Sequence, residues 1–215
     1  SSTPAVLTIE PGTEIRFPNG TSLSIGSSTN LGALIAQGTP ALPILFTRTQ
    51  SNINWYGIFF NDTTVDQTSI LEHAIVEYGG YSGWANVTMT SSNPTVRNTI
   101  LRNSLTYGLR LSSNASPLVE MNTIQDNTQA VAFLDLSSIG ATFTGNTYSG
   151  NGNGNNLLLE SGTLSQSRTL KEADAPYQAT SSITIAGTST IPAVLTIEPG
   201  TEIRFGSNLG LYIGS

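Results

Sequence analysis

A segment of fourteen residues occurs twice in this chain, and no other feature constrains its fold as strongly. Residues 4–17, with the sequence PAVLTIEPGTEIRF, recur unchanged as residues 192–205, an offset of 188. The same offset pairs Leu23 with Leu211. Such a repeat indicates a unit of 188 residues, followed from about residue 189 by the start of the next unit. The sequence therefore predicts a piece of a larger protein that carries this unit in tandem.

A shorter period of about 24 residues lies inside the long unit. Asparagine recurs at this spacing in two series, Asn98, Asn122 and Asn146, and Asn103, Asn127 and Asn151. His73 lies one period before Asn98, with a slip of one residue. This period is typical of a solenoid, in which each turn places the same position above itself. We expect Asn98, Asn122 and Asn146 to form a hydrogen-bonded structural ladder at an inward bend, with His73 in register.

Each turn of this solenoid is predicted to consist of short β-strands. Leu7, Ile9, Ile15 and Phe17 alternate with polar residues, and a Glu-Pro-Gly turn separates the two halves of this pattern. Two or three strands per turn of about 22–25 residues describe an all-β parallel β-helix of roughly nine turns, with residues 1–215 in a single domain. Residues 161–179 lack the alternation, so we expect them to leave the stack.

These residues resemble a known family, the right-handed parallel β-helix or pectin-lyase-like superfamily. The segment LTIEPGTEIRF is similar to the opening turn of many bacterial surface proteins of this kind. In them a Trp-x-Gly-Ile-x-Phe turn, here residues 55–60, precedes a turn like residues 69–80. The resemblance covers essentially the whole chain and implies the fold. It leaves the function open, because the superfamily includes lyases, hydrolases, adhesins, tailspikes and inert stalks.

The composition excludes several classes of function. With eight Lys and Arg residues, a net charge of -6 and no basic cluster, the chain lacks the surface that nucleic-acid binding requires. Because cysteine is absent, disulfides and thiolate metal sites are excluded. No apolar run reaches the roughly 20 residues that span a bilayer. The low charge and the abundance of Asn, Ser and Thr are typical of exported bacterial proteins, so we expect an extracellular or cell-surface location.

Few residues are candidates for catalysis. The five aspartates are scattered and form no Asp-Asp pair, whereas glycoside hydrolysis requires two cooperating carboxylates. His73 is the only histidine, and the ladder interpretation gives it a structural role. We therefore assign no catalytic residue and expect no cofactor. The alternative is a Ca²⁺ site formed by Asp62, Asp66 and Glu77. The competing interpretation of the loop that contains Asp62 and Asp66 is a solvated turn rich in Asn, Asp and Thr.

Aromatic residues cluster in one part of the chain and suggest a binding surface. Trp55 and Tyr56 lie about one turn before the Gly-rich stretch that contains Tyr81 and Trp84. Because stacked turns bring such positions to one side of the rod, we expect these four residues to contact a sugar. The alternative is that some of the rings pack against the body of the rod.

Together these patterns predict a non-catalytic structural or adhesive β-helix module of a larger tandem-repeat, exported bacterial surface protein. The alternative is a β-helix that binds or degrades polysaccharide, as a lyase or hydrolase would. The expected partners are neighbouring repeat units of the same chain and, for the alternative, a polysaccharide. The open strand edges at both ends also predict end-to-end self-association.

Overall fold

The chain folds into a stack of short parallel strands. The computed structural model describes residues 3–27 and 29–214. Their strands, in chain order, are β1 (Ala5–Ile9), β2 (Glu14–Phe17), β3 (Ser22–Ile25), β4 (Gly32–Gln37), β5 (Ile44–Arg48), β6 (Gly57–Phe60), β7 (Ile70–Glu72), β8 (Ala74–Glu77), β9 (Ala85–Thr90), β10 (Thr95–Arg97), β11 (Ile100–Arg102), β12 (Tyr107–Ser112), β13 (Leu118–Glu120), β14 (Thr123–Gln125), β15 (Ala130–Leu134), β16 (Thr142–Thr144), β17 (Thr147–Ser149), β18 (Leu157–Leu159), β19 (Gly162–Leu164), β20 (Arg168–Leu170), β21 (Tyr177–Ala179), β22 (Ile183–Ile185), β23 (Leu195–Ile197), β24 (Ile203–Arg204) and β25 (Leu211–Ile213). Two single-turn 3₁₀ helices, Tyr81–Gly83 and Gly152–Gly154, complete the secondary structure. None of the described helices is long and apolar enough to cross a membrane.

Three long sheets form the faces of the stack. Face A contains β1, β4, β7, β10, β13 and β16, face B contains β2, β5, β8, β11, β14 and β17, and face C contains the eight strands β3, β6, β9, β12, β15, β18, β21 and β24. All strand pairs are parallel, and each joins one turn to the next. Because face C takes one strand from each turn, the solenoid has about eight turns, close to the nine that the sequence predicts.

The inward side of each strand supplies the core. On the second turn, Leu34 of face A, Phe46 of face B and Ile58 of face C are all completely buried. The register places Leu71, Val96 and Val119 on one another along face A, so the interior is filled by columns of apolar side chains. Each fully buried side chain of this kind contributes about 1.5–3 kcal/mol. The alternation read from the sequence is therefore the division between interior and surface.

Residues 161–179 do not leave the stack, so that prediction is wrong. They form β19, β20 and β21, of which β21 pairs with β18 on face C, and β19 and β20 pair with strands of the following turn. Tyr177 is buried, and its hydroxyl donates to the Lys171 carbonyl oxygen at 3.0 Å. The sequence pattern does not reveal this turn, because its strands have only three residues each and the segments around them contain Gly, Ser and Pro.

The bend between faces A and B places a left-handed residue in each of four successive turns. These residues are His73 (φ 45°), Asn98 (φ 49°), Met121 (φ 54°) and Gly145 (φ 67°). Since Arg97 pairs with Glu72 on one side and Glu120 on the other, Asn98 lies between His73 and Met121. Neither His73 nor Asn98 is therefore a ladder residue, which corrects the prediction. The step from β10 to β13 is 23 residues, one shorter than the period of 24.

The hydrogen-bonded ladder is formed by the residue that follows this left-handed position in each turn. The Asn122 Oδ1 accepts the backbone N–H of Thr99 at 2.9 Å, and the Asn146 Oδ1 accepts the backbone N–H of Asn122 at 2.9 Å. Asp174 closes the column, because its Oδ2 accepts the Asn146 backbone N–H at 2.6 Å. The side-chain amides of Asn122 and Asn146 also donate to the carbonyl oxygens of Val96 and Val119. These bonds satisfy backbone groups that the bend removes from the sheets.

A second ladder occupies the bend between faces B and C. The backbone N–H of Ser104 donates to the Asn127 Oδ1 at 3.0 Å, and that of Asn127 donates to the Asn151 Oδ1 at 3.1 Å. The backbone N–H of Asn151 donates in turn to the Asn155 Oδ1 at 3.0 Å. Asn103 lies one residue before this column with φ 55°, as Asn98 does at the first bend.

Candidate functional site

A row of large side chains lies along the outer surface of face C. The register pairs Phe59 with Thr88, Thr88 with Arg110, and Arg110 with Phe133. Residues on either side of Phe59 point inward and are completely buried, so Phe59 itself points outward. Since successive turns are about 4.8 Å apart, these side chains form one column along the rod.

Two further aromatic rings complete this surface. The Trp84 ring meets the Phe59 ring edge to face, with centroids 5.0 Å apart, and the Tyr107 ring lies 5.3 Å from the Phe133 ring. The Arg110 guanidinium lies between them, 5.5 Å from the Trp84 ring centroid and 5.2 Å from that of Phe133. We call these five residues, Phe59, Trp84, Tyr107, Arg110 and Phe133, the aromatic ridge.

The ridge carries one positive charge and one neutral hydroxyl. The Arg110 Nη1 donates to the Gly83 carbonyl oxygen at 3.2 Å, and among the described residues no carboxylate forms an ion pair with Arg110. Burial raises the pKa of the Tyr107 phenol above its ordinary value, although the charge of Arg110 acts in the opposite direction. The phenol is therefore protonated at neutral pH and can donate a hydrogen bond. Flat apolar rings beside a few hydrogen-bond donors are a suitable surface for a polar ligand with apolar faces, such as a sugar.

Tyr81, in the Gly-rich stretch before Trp84, lies against Tyr56 of the preceding turn. The rings of Tyr56 and Tyr81 lie 5.5 Å apart with their planes tilted by 57°. Tyr81 begins a 3₁₀ turn whose preceding residue, Gly80, has φ 81°. A Cβ atom at Gly80 would lie 2.3 Å from the Ser104 Oγ, so only glycine fits there. Of the predicted sugar-contacting residues, Tyr81 and Trp84 are thus exposed, each by 37%, and Tyr56 is half-buried.

Trp55 does not belong to this surface, so its predicted contact with sugar is wrong. It is completely buried, its ring stacks on Phe17 at 4.2 Å, and its Nε1 donates to the Glu77 carbonyl oxygen at 2.8 Å. Because it lies just before β6, where the chain bends from face B to face C, its side chain fills the corner of the core. The alternative interpretation, packing against the body of the rod, is correct for this ring.

Four of the five ridge residues were not predicted from the sequence, namely Phe59, Tyr107, Arg110 and Phe133. For two of them, the available signal was their alternation with apolar residues. Arg110 alternates with the apolar Leu109 and Leu111, and Phe133 alternates with Ala132 and Leu134. Their alignment depends on the register between turns, and turns of unequal length hide that register.

The predicted calcium site is not formed. The Asp66 carboxylate accepts the backbone N–H of Asn93 at 2.7 Å and the Asn93 side-chain amide at 3.2 Å, whereas Asp62 is exposed on the loop before β7. Glu77 is on face B, where it accepts the Thr47 hydroxyl and pairs with Arg102 at 2.6 Å. No cluster of three His, Cys, Asp or Glu residues in residues 3–27 and 29–214 could hold a metal ion. Asp66 and Glu77 thus serve separate structural contacts, and Asp62 takes part in neither.

Acidic side chains on faces A and B are held in rows with arginine. Glu72 on face A contacts Arg97 at 2.8 Å, and Gln37 donates to the same carboxylate at 3.0 Å. Burial would raise the pKa of Glu72, but the hydrogen bonds from Arg97 and Gln37 outweigh it and hold this pKa below its ordinary value. Glu77 and Arg102 form the corresponding pair on face B. Both glutamates are thus paired with arginine, in an arrangement that suits a structural role.

Comparison with known proteins identifies the fold family. The family model described as "right handed beta helix region" matches residues 11–169. No curated protein and no solved structure matches the chain. The matched region includes both asparagine ladders and the whole aromatic ridge, and it extends over most of the chain. The chain therefore belongs to the right-handed β-helix family.

Proposed function

We propose that this chain is a non-catalytic structural and adhesive module of a larger bacterial surface protein, exported and built from tandem copies of the 188-residue unit. The observation that carries the proposal is the use of one sequence at both ends of one stack. Residues 4–17 form β1 and β2 in the first turn, and residues 192–205 form β23 and β24 near the last. A segment that can either start or extend a stack suits units arranged in series.

Both copies of the segment have the same local conformation. Gly12 and Gly200 have φ of 78° and 86°, and in each copy a threonine N–H donates to the glutamate carbonyl oxygen three residues earlier at 3.3 Å. Each copy also contains an ion pair between Arg and Glu at 2.6 Å. The segment therefore keeps its shape whether its neighbour lies above or below it.

The second candidate function is carbohydrate binding, and the aromatic ridge favours it. The ridge presents Trp84 with the Arg110 guanidinium beside it, and it contains no carboxylate. Without a carboxylate pair at the ridge, binding is better supported than the cleavage of a polysaccharide. The net charge of -6 favours neutral over anionic glycans.

A panel of insoluble and soluble polysaccharides tests both functions at once. The chain is incubated with each polymer, and we measure the protein retained and the reducing or unsaturated ends released. We expect no product with any polymer. Released ends that rise in proportion to the protein added would contradict the non-catalytic proposal.

Replacing Trp84 by Ala tests the ridge directly. We expect Trp84→Ala to weaken retention on a bound neutral glycan roughly tenfold, which corresponds to a loss of about 1.4 kcal/mol. The control is Tyr212→Ala, which removes an aromatic ring that is 49% exposed in the last strand, away from the ridge. Equal retention of the Trp84 variant and the control would exclude the ridge as the binding surface.

A further inference from the structure

The two copies of the repeated segment are buried on opposite sides. In the first copy, Ile9 and Ile25 are covered by the second turn and are 6% and 5% exposed. Their counterparts in the second copy, Ile197 and Ile213, are 41% and 77% exposed. In the described part of the chain, β1, β2 and β3 have strand partners only on one side, and β23, β24 and β25 only on the other.

The surface that holds the first copy must therefore accept the second. The backbone of β4 pairs with β1, that of β5 with β2, and that of β6 with β3. Residues 192–205 are identical to residues 4–17, and Leu211 and Ile213 match Leu23 and Ile25. The strand pairing of the second turn with the first copy, and its contacts with these shared side chains, can thus be made with the second copy of another molecule. The copies differ only at residues 18–22 and Ser24, whose counterparts are residues 206–210 and Tyr212.

Replacing the first copy in one molecule by the second copy of another also changes how many segments must be ordered. In two separate molecules, two copies of the segment are ordered, each by contacts on one side only. Where the second copy of one molecule replaces the first copy of another, a single ordered segment makes both sets of contacts. The displaced segment is then free and regains conformational entropy, while the number of strand pairs is unchanged.

We propose that copies of this chain join head to tail by segment exchange, in which residues 192–213 of one molecule take the place of residues 4–25 of the next. The partner is a second copy of this chain, and the surface that receives it is the edge formed by β4, β5 and β6. The reaction can repeat at each free end, so it produces open-ended chains of molecules instead of closed dimers. The proposal does not depend on carbohydrate binding.

Engineered cysteine pairs test the exchange, since the chain contains no cysteine. Thr8 is the strand partner of Ile35, and Thr196 is the counterpart of Thr8 in the second copy. The pair Ile35→Cys and Thr196→Cys lies at opposite ends of one molecule, far beyond the 7 Å limit between Cα atoms for a disulfide. After mild oxidation we expect this variant to form disulfide-linked dimers and larger species, in amounts that rise with protein concentration.

Two matched variants separate exchange from other kinds of association. Thr8→Cys with Ile35→Cys locks the first copy in place, and we expect it to remain a single chain under the same conditions. Thr8→Cys with Thr196→Cys reports simple end-to-end stacking without exchange. Disulfides in this last variant but not in the variant at positions 35 and 196 would overturn the proposal.

A measurement on the unaltered chain keeps the test independent of the cysteine variants. Sedimentation at increasing protein concentration should show a mass that grows beyond that of one chain. A single-chain mass at every concentration would overturn the proposal, even if the variants fail to fold.

Discussion

At the scale of single residues, the bends of the rod require a conformation that most side chains resist. Met121 has φ 54° and is 64% exposed, so it gains little from burial in return for this strain. Asparagine tolerates left-handed φ better than other non-glycine residues, and Asn98 occupies the same column of bends. The bend column thus contains one position where the sequence does not suit the backbone.

We expect Met121→Asn to stabilise the protein by about 0.5–1 kcal/mol, because it relieves this strain. Thermal unfolding should then shift upward by a few degrees. Leu105→Asn is the control, because Leu105 is also an exposed apolar residue, 44% accessible, but is not among the residues with positive φ. A similar gain in both variants would mean that removal of exposed apolar surface, and not backbone strain, causes the effect.

Glu72 is the residue that gives the stability of face A a dependence on pH. Burial alone would raise its pKa, but the hydrogen bonds from Arg97 and Gln37, together with the nearby positive charge, outweigh burial and hold the folded-state pKa below the ordinary value of 4.5. The carboxylate therefore contributes stability above pH 4.5, and this contribution is lost as the pH falls through the lowered pKa. We expect the native chain to lose more stability than Glu72→Gln between about pH 5 and pH 3.

The exposed pair of Glu14 and Arg16 provides the comparison for this measurement. The Glu14 side chain is 42% exposed, against 14% for Glu72, so solvent screens its interaction more strongly. In unfolding by denaturant at each pH, Glu14→Gln should therefore follow the native chain closely. If Glu72→Gln does the same, the Arg97 contact has no role in acid stability.

At the scale of elements, the asparagine ladders join the turns at the bends, where the sheets are interrupted. Asn122 is 1% exposed and makes side-chain hydrogen bonds to Thr99, Val96 and Asn146. Replacement by Ala leaves buried backbone groups without partners, which costs about 1–3 kcal/mol for each unsatisfied group. We expect Asn122→Ala to destabilise the protein by at least about 2 kcal/mol in denaturant unfolding.

Asn98→Gly is the matched control for the ladder. Asn98 has the same residue type and almost the same place in the repeat, and its side chain makes no hydrogen bond among the described residues. Glycine accepts its φ of 49° without strain. A large loss in this variant, equal to that of Asn122→Ala, would contradict the assignment of the ladder to the later residue.

The sequence predicts which residues alternate between core and surface, but it does not predict the register between turns. Alternation is local, so β2 and β5 could be recognised from their own residues. The position of Asn98 depends instead on whether a turn has 23 or 24 residues, and one residue decides between bend and ladder. The aromatic ridge was missed for the same reason, because Arg110 meets Trp84 and Phe133 only through pairing between turns.

At the scale of the whole molecule, the repeat unit does not contain a whole number of turns. Of the 22 strands that precede β23, the strand that repeats β1, nineteen lie on the three long faces. The other three, β19, β20 and β22, belong to two smaller sheets in the last turns. The strand that repeats β2 is advanced from one long face to the next. The first copy places β2 on face B, whereas the matching strand β24 lies on face C.

This advance predicts the shape of a protein with two units in tandem. The second unit should be rotated by about a third of a full turn and displaced by roughly 35 Å along the axis, at about 4.8 Å per turn. Electron cryo-microscopy of a two-unit chain would locate the two aromatic ridges relative to each other. We expect them on neighbouring faces, so that successive units present their ridges in different directions around the rod. Ridges aligned on the same side would mean that the last turns rearrange when another unit follows, because β24 would then have to leave face C for face B, where β2 lies.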